Sequence, residues 1–139
     1  MRLVVDTNVL ISGIHWGGIP AEIIRAWAGS RIQVVCSAGI IDEYGAVVRR
    51  MNPGLAASEI DHLLSFLIGR SEIVQPNHWF KVVLDDPGDN KFIDCAFHAQ
   101  ANLIISGDKH LLRLEKFGPI RVLSPSQFKK RFPRILIKT

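Results

Sequence analysis

The sequence predicts an α/β protein: a three-layer α/β/α sandwich built on a mostly parallel sheet of four to five strands. Three observations carry this. Short, partly β-branched apolar runs alternate with longer stretches of helical periodicity. The segments joining successive runs are long enough for crossover helices, which parallel strands require. Two of the runs, Leu3–Val5 and Leu103–Ile105, are followed at once or within three residues by an aspartate. That is the strand end at which open α/β sheets place their sites.

Taken in order, residues 2–5 are a buried strand, and Asp6, Thr7 or Asn8 can cap the helix that follows over about 8–15. Gly17-Gly18 breaks that helix, and Pro20 suits the first turn of a second at about 19–29. Ile32–Cys36 is the next strand. Ser37 caps a helix over 38–51 whose apolar stripe runs through Ile40, Tyr44, Val47, Val48 and Met51. A further amphipathic helix spans 57–69, and Glu72–Val74 is a short strand. Residues 75–88 read as irregular. A helix over about 89–101, a strand at 103–105, a helix at 109–114, a strand at 120–123 and a helical turn at 125–130 complete the alternation. Residues 1–132 form one domain, and 133–139 read as a loose tail.

With 139 residues, 47% of them apolar and 22% charged, the chain belongs with ordinary globular domains and buries a core without staples. No apolar run approaches the ~18 residues of a membrane span. The N-terminus is too short and too polar before Asp6 for a signal peptide. Cys36 and Cys95, each in an apolar context, read as buried free thiols. A cytoplasmic location with no membrane partner is the expectation.

The net charge of +4 conceals an asymmetry. Residues 1–108 carry 8 Lys/Arg against 12 Asp/Glu, while residues 109–139 carry 9 against the single Glu115. A basic segment beside an acidic region suits a polyanionic substrate; a solvated basic surface is the plainer alternative.

The candidate site is built from Asp6, Glu43, Asp89 and Asp108. If the strands before Asp6 and Asp108 are neighbours at the topological switch point, those two carboxylates share one crevice. Glu43 lies between the apolar stripe residues Ile40 and Val47, so it points partly inward. Asp89 opens a helix. Singly, Asp6, Asp89 and Asp108 are equally readable as helix caps, and Glu43 as a snorkelling surface residue. Together they suit a cluster holding Mg²⁺ or Mn²⁺, hard cations that take oxygen ligands and serve in-line phosphoryl displacement. Without a cation, mutual repulsion must raise at least one of their pKa values. Thr7, Asn8 and Ser106 are within two residues of a candidate ligand and can support it by hydrogen bonding. Asp94 is a further outer ligand or the partner of a basic side chain. His98 reads as a surface or pairing residue, and Asp85-Asp86 as part of a turn. Lys109 and His110 are placed to touch a substrate phosphate.

Two blocks of this sequence are recognisable. Val5-Asp6-Thr7-Asn8-Val9-Leu10 is one. The other is Asp89-Asn90-Lys91-Phe92-Ile93-Asp94-Cys95-Ala96 followed by Leu103-Ile104-Ile105-Ser106-Gly107-Asp108-Lys109-His110-Leu111-Leu112. In this order and spacing they resemble the PIN-domain family, most closely the prokaryotic (VapC-like) proteins assigned as toxins of toxin–antitoxin systems. The resemblance implies a metal-dependent ribonuclease acting on single-stranded RNA, a frequent homodimer and a possible cognate antitoxin. By position, Asp6, Glu43, Asp89 and Asp108 match the family's four acids and Ser106 its small hydroxyl residue. Asp94 matches a position often acidic in the sub-type. One competing reading is a catalytically silent module of the same fold that binds RNA or protein. Another is an aspartyl phosphohydrolase, which wants a second Asp where this chain has Asn8.

Overall fold

The computed structural model describes residues 1–51, 54–76 and 90–137. Its elements are β1 (Arg2–Val5), α1 (Thr7–His15), α2 (Gly18–Ala28), β2 (Gln33–Cys36), α3 (Ala38–Met51), α4 (Ala57–Gly69) and β3 (Ser71–Ile73). They continue as α5 (Asn90–His98), β4 (Leu103–Ile105), α6 (Lys109–Leu114), β5 (Lys116–Phe117), β6 (Ile120–Leu123), α7 (Pro125–Arg131) and α8 (Pro133–Leu136).

The sheet runs β3-β2-β1-β4-β6-β5. All pairings are parallel except β5 with β6. The β1–β2 and β2–β3 steps move one way across the sheet, and the β3–β4 and β4–β6 steps the other. Right-handed crossovers then put α1–α4 on one face and α5 and α6 on the opposite one. Strands covered on both faces must be apolar throughout. Leu3, Val4, Val5, Val34, Val35, Ile104 and Ile105 are accordingly buried. Trp27 of α2 is fully buried, and its indole N–H donates to Leu67 O and Ser71 Oγ at 3.0 Å each, tying α2 to α4 and β3.

The fold is the expected α/β sandwich, with one strand more than expected. Lys116–Phe117 folds back on β6 through Gly118-Pro119, with Gly118 at φ +57. A positive φ at that corner suits a tight hairpin turn and favours glycine. Two residues of strand are too few to show a period, so only the Gly-Pro dipeptide marks the turn. The helix expected over 89–101 ends at His98. Gln100 takes φ +55, Ala101 N–H donates to Ala96 O and Gln100 N–H to Phe97 O. This is the αL ending that usually selects glycine, here built on glutamine and so not readable from residue type. Beyond residue 132, read above as a loose tail, Pro133–Leu136 is helical. Leu136 is buried, and the Ile135 carbonyl accepts from Arg31 at 3.0 Å. Among the described residues no helix is long and apolar enough to cross a membrane.

What the topology does for a site is specific. β1 and β4 are the switch-point neighbours, in register Val5↔Ile105. The chains leaving them diverge into α1 and toward α6, opening a crevice at the C-terminal end of the sheet.

Candidate active site

Asp6 is the first residue past β1. Its N–H donates to Ile105 O at 2.9 Å, the last rung between β1 and β4. Behind it, the Tyr44 hydroxyl donates to Val5 O at 2.5 Å, so the strand's final carbonyl is satisfied from α3. Asp6 occupies the N-cap position of α1, and its carbonyl accepts from Val9 N–H at 3.0 Å. Its side chain, however, makes no capping hydrogen bond to the helix. It reaches across to the neighbouring strand, where Oδ2 accepts from the Ser106 hydroxyl at 2.6 Å. Both residues are buried.

Ser106 links two acids. While its hydroxyl donates to Asp6, its Oγ accepts the Asp108 N–H at 2.9 Å. Asp108 does cap: Oδ1 accepts from His110 N–H at 2.7 Å, starting α6. The two alternatives left open for these aspartates therefore resolve differently, and in Asp108 the cap and the place at the crevice coexist.

Glu43 joins from α3. Six residues on from Ser37, it sits at the rim of the helix's buried stripe with 29% of its side chain exposed. Thr7 Oγ1 donates to its Oε2, and Lys91 Nζ donates to its Oε1 at 2.6 Å. Since Thr7 follows Asp6, the bridged pair Asp6–Ser106–Asp108 and the chain Thr7–Glu43–Lys91 meet at the start of α1.

The electrostatics follow from that packing. The Asp6 carboxyl is pushed up from 3.8 to about 6, first by burial, and further by the charges of Asp108 and Glu43. The Ser106 hydroxyl and the Thr7 backbone pull the other way. Mutual repulsion was expected to lift at least one pKa in the cluster; at Asp6 it adds to a lift that burial dominates. Both cysteines are buried free thiols, pushed up to about 11 at Cys36 and about 12 at Cys95, chiefly by burial.

Of the remaining candidates, Asn8 is exposed on the first turn of α1 and Asp94 is buried within α5. Asp89, with Asp85 and Asp86, lies outside the described residues. Among the described residues no group of three His, Cys, Asp or Glu side chains is arranged to hold a metal ion. Two contributors escaped sequence reasoning. Lys91 is the cation on Glu43; its signal was a lone basic residue inside the acid-rich block 85–94. Tyr44 was read as core, and its hydroxyl could not be placed without knowing which strand end it faced.

A family model described as PIN domain matches residues 2–110, a span that includes all the residues of this site and stops where the basic segment begins. The chain is 31% identical over 150 residues to an uncharacterized protein of Methanocaldococcus jannaschii, across 98% of this chain and 94% of that one. No solved structure matches it significantly.

Proposed function

Because the chain belongs to the PIN-domain family, whose members are generally nucleases, we propose that it is a metal-dependent endoribonuclease cleaving single-stranded RNA. The observation that carries the reading is the Ser106 bridge, which aligns Asp6 and Asp108 at the adjacent ends of β1 and β4 with Glu43 close enough to raise Asp6. Three acids gathered at a sheet's C-terminal end repel one another, and a cation brought to them would offset that repulsion.

The donors are all carboxylate oxygens, the kind that Mg²⁺ and Mn²⁺ take in preference to soft metals, so the residues fit such an ion in kind. Asp6, Glu43 and Asp108 would hold it, together with Asp89. When bound, the ion would supply Lewis acidity toward a phosphodiester and its attacking water. The chain's own residues prepare the ground. Ser106 fixes the rotamer of Asp6, and Thr7 fixes that of Glu43. Lys91 offsets the charge of Glu43, leaving it half-shielded. Burial beside Asp108 and Glu43 pushes the Asp6 carboxyl up to about 6, so its negative charge develops as pH rises toward neutral. Lys109, exposed in the first turn after Asp108, can meet a phosphate oxygen at the crevice.

The finer reading, a toxin with a cognate antitoxin acting as a homodimer, rests on the family sub-type alone. The test is cleavage of a pool of single-stranded RNAs with Mg²⁺ or Mn²⁺, with EDTA, and with Asp6→Asn. Metal-dependent products that vanish with the substitution support the proposal, and cleavage surviving both EDTA and Asp6→Asn sinks it. RNA binding with no metal uptake by calorimetry would instead favour a silent binding module.

A further inference from the structure

The basic segment does not gather at the carboxylates. Lys109 stands beside the site, but Arg121 pairs in register with Leu103 at the start of β4, and with Lys116 on β5. Both therefore lie at the N-terminal end of the sheet, on the order of 10 Å along the strands from Asp6 and Ser106. α7 brings Arg131 to the same place. Arg121 and Arg131 line two adjoining cavities of about 510 and 530 Å³. The first also has Phe132 in its wall and, among its described lining residues, no acid. The second adds Lys116 and one acid, Glu115.

Several cations elsewhere are held in ion pairs. Arg2 pairs with Glu72, Arg49 with Asp61, Lys91 with Glu43 and Lys129 with Glu22. Among the described residues, none of the ion pairs uses Lys116, Arg121 or Arg131. Lys116, Arg121 and Arg131 gather around two cavities whose one acid among the described lining residues is Glu115, which leaves this edge net positive and open to a polyanion. Phe132 stands next to them, with the Arg131 guanidinium 5.9 Å from its ring centroid. A charged groove with an aromatic face is the pairing that holds a single strand, phosphates on cations and bases on the ring.

We propose that the β5–β6 edge, through Lys116, Arg121, Arg131 and Phe132, is a second RNA-binding site that holds the single strand several nucleotides away from the carboxylates. It rests on the ribonuclease reading for its ligand. It lies beyond the span 2–110 over which the family model matches.

The test uses the full chain in EDTA, so that binding is read without cleavage. Fluorescence anisotropy compares a short (about four-nucleotide) with a long (about twenty-nucleotide) labelled single-stranded RNA over a salt series. In Lys116→Ala/Arg131→Ala, two exposed positions, the long RNA should bind more weakly. The slope of log affinity against log salt should fall by about 1.4, two phosphate contacts at ~0.7 each. The short RNA, which in EDTA has the basic edge and not the carboxylates to bind, should weaken as well, and Arg25→Ala, an exposed arginine elsewhere, should match the parent. An unchanged slope for the long RNA overturns the proposal, as does an equal loss in Arg25→Ala. So does a parent protein that binds polyglutamate, and not RNA, through the same residues. If the slope is unchanged while cleavage stays metal-dependent, the second site fails and the ribonuclease stands. If the slope falls but no condition yields cleavage, the second site stands and the ribonuclease fails.

Discussion

At the C-terminal end of β1 and β4, Asp6 is 3% exposed and feels Asp108 and Glu43, so its carboxyl is pushed up to about 6. At the other end and edge of the same sheet, Lys116 and Arg131 are exposed and Arg121 is half-buried. The two regions hold like charges in opposite ways. Asp6 is buried under a hydrogen bond from Ser106, while Glu43, held by Thr7, and Asp108 stand half-buried beside it. The cations are spread along a solvated edge where water screens most of their repulsion. Burying one acid beside two others costs stability that a bound cation can return, whereas spreading exposed cations costs little and leaves them available to a polyanion.

That contrast can be broken first at Asp6. A carboxyl raised from 3.8 to about 6 binds more protons folded than unfolded in that interval. Its contribution is therefore fully present below the unfolded value and is lost as pH rises through about 6. Asp6→Asn removes the charge but keeps an acceptor for Ser106. In EDTA at pH 7 it should raise unfolding stability by up to ~3 kcal/mol, with no gain at pH 3. Urea midpoints at the two pH values measure this; equal shifts at both would mean that burial of the charge is not what the acid end is strained by.

A smaller effect is expected at Ser106. Ser106→Ala leaves every acid in place but removes the bridge, and groups that orient metal ligands are typically worth 10–100-fold in affinity or activity. Mn²⁺ titration by calorimetry should show a loss in that range. A loss below threefold would place the ordering of the acids in packing alone.

The smallest effect should come from the solvated side. Lys129→Ala breaks the pair with Glu22, in which the lysine side chain is 46% exposed. Such pairs are worth about 0–1 kcal/mol, so the thermal midpoint should barely move. A loss as large as that expected at Asp6 would erase the distinction between the two regions.

Much of this was legible in the linear chain because the relevant signals are local. Leu3–Val5 and Leu103–Ile105 are apolar throughout because both sheet faces are covered, and the aspartates after them mark strand ends. Glu43 was readable as half-buried from the stripe on either side of it. Lys91, Tyr44 and β5 were not, for a common reason. A lysine's partner, a phenol's acceptor and a two-residue strand are defined by what lies across from them, and no periodicity announces that.

By itself, then, the sequence determined the alternation of strands and helices, the acids at the ends of elements and the uneven distribution of charge, since side-chain period and composition act within a few residues. Only the tertiary structure decided that the carboxylate of Asp6 turns from its own helix to Ser106 and that Asp108 caps and converges at once. It also decided that the basic residues following Asp108 in the chain lead away from the carboxylates to the far edge of the sheet. Those outcomes depend on β1 lying beside β4 and on β5 folding back along β6, contacts between segments that sequence proximity does not encode.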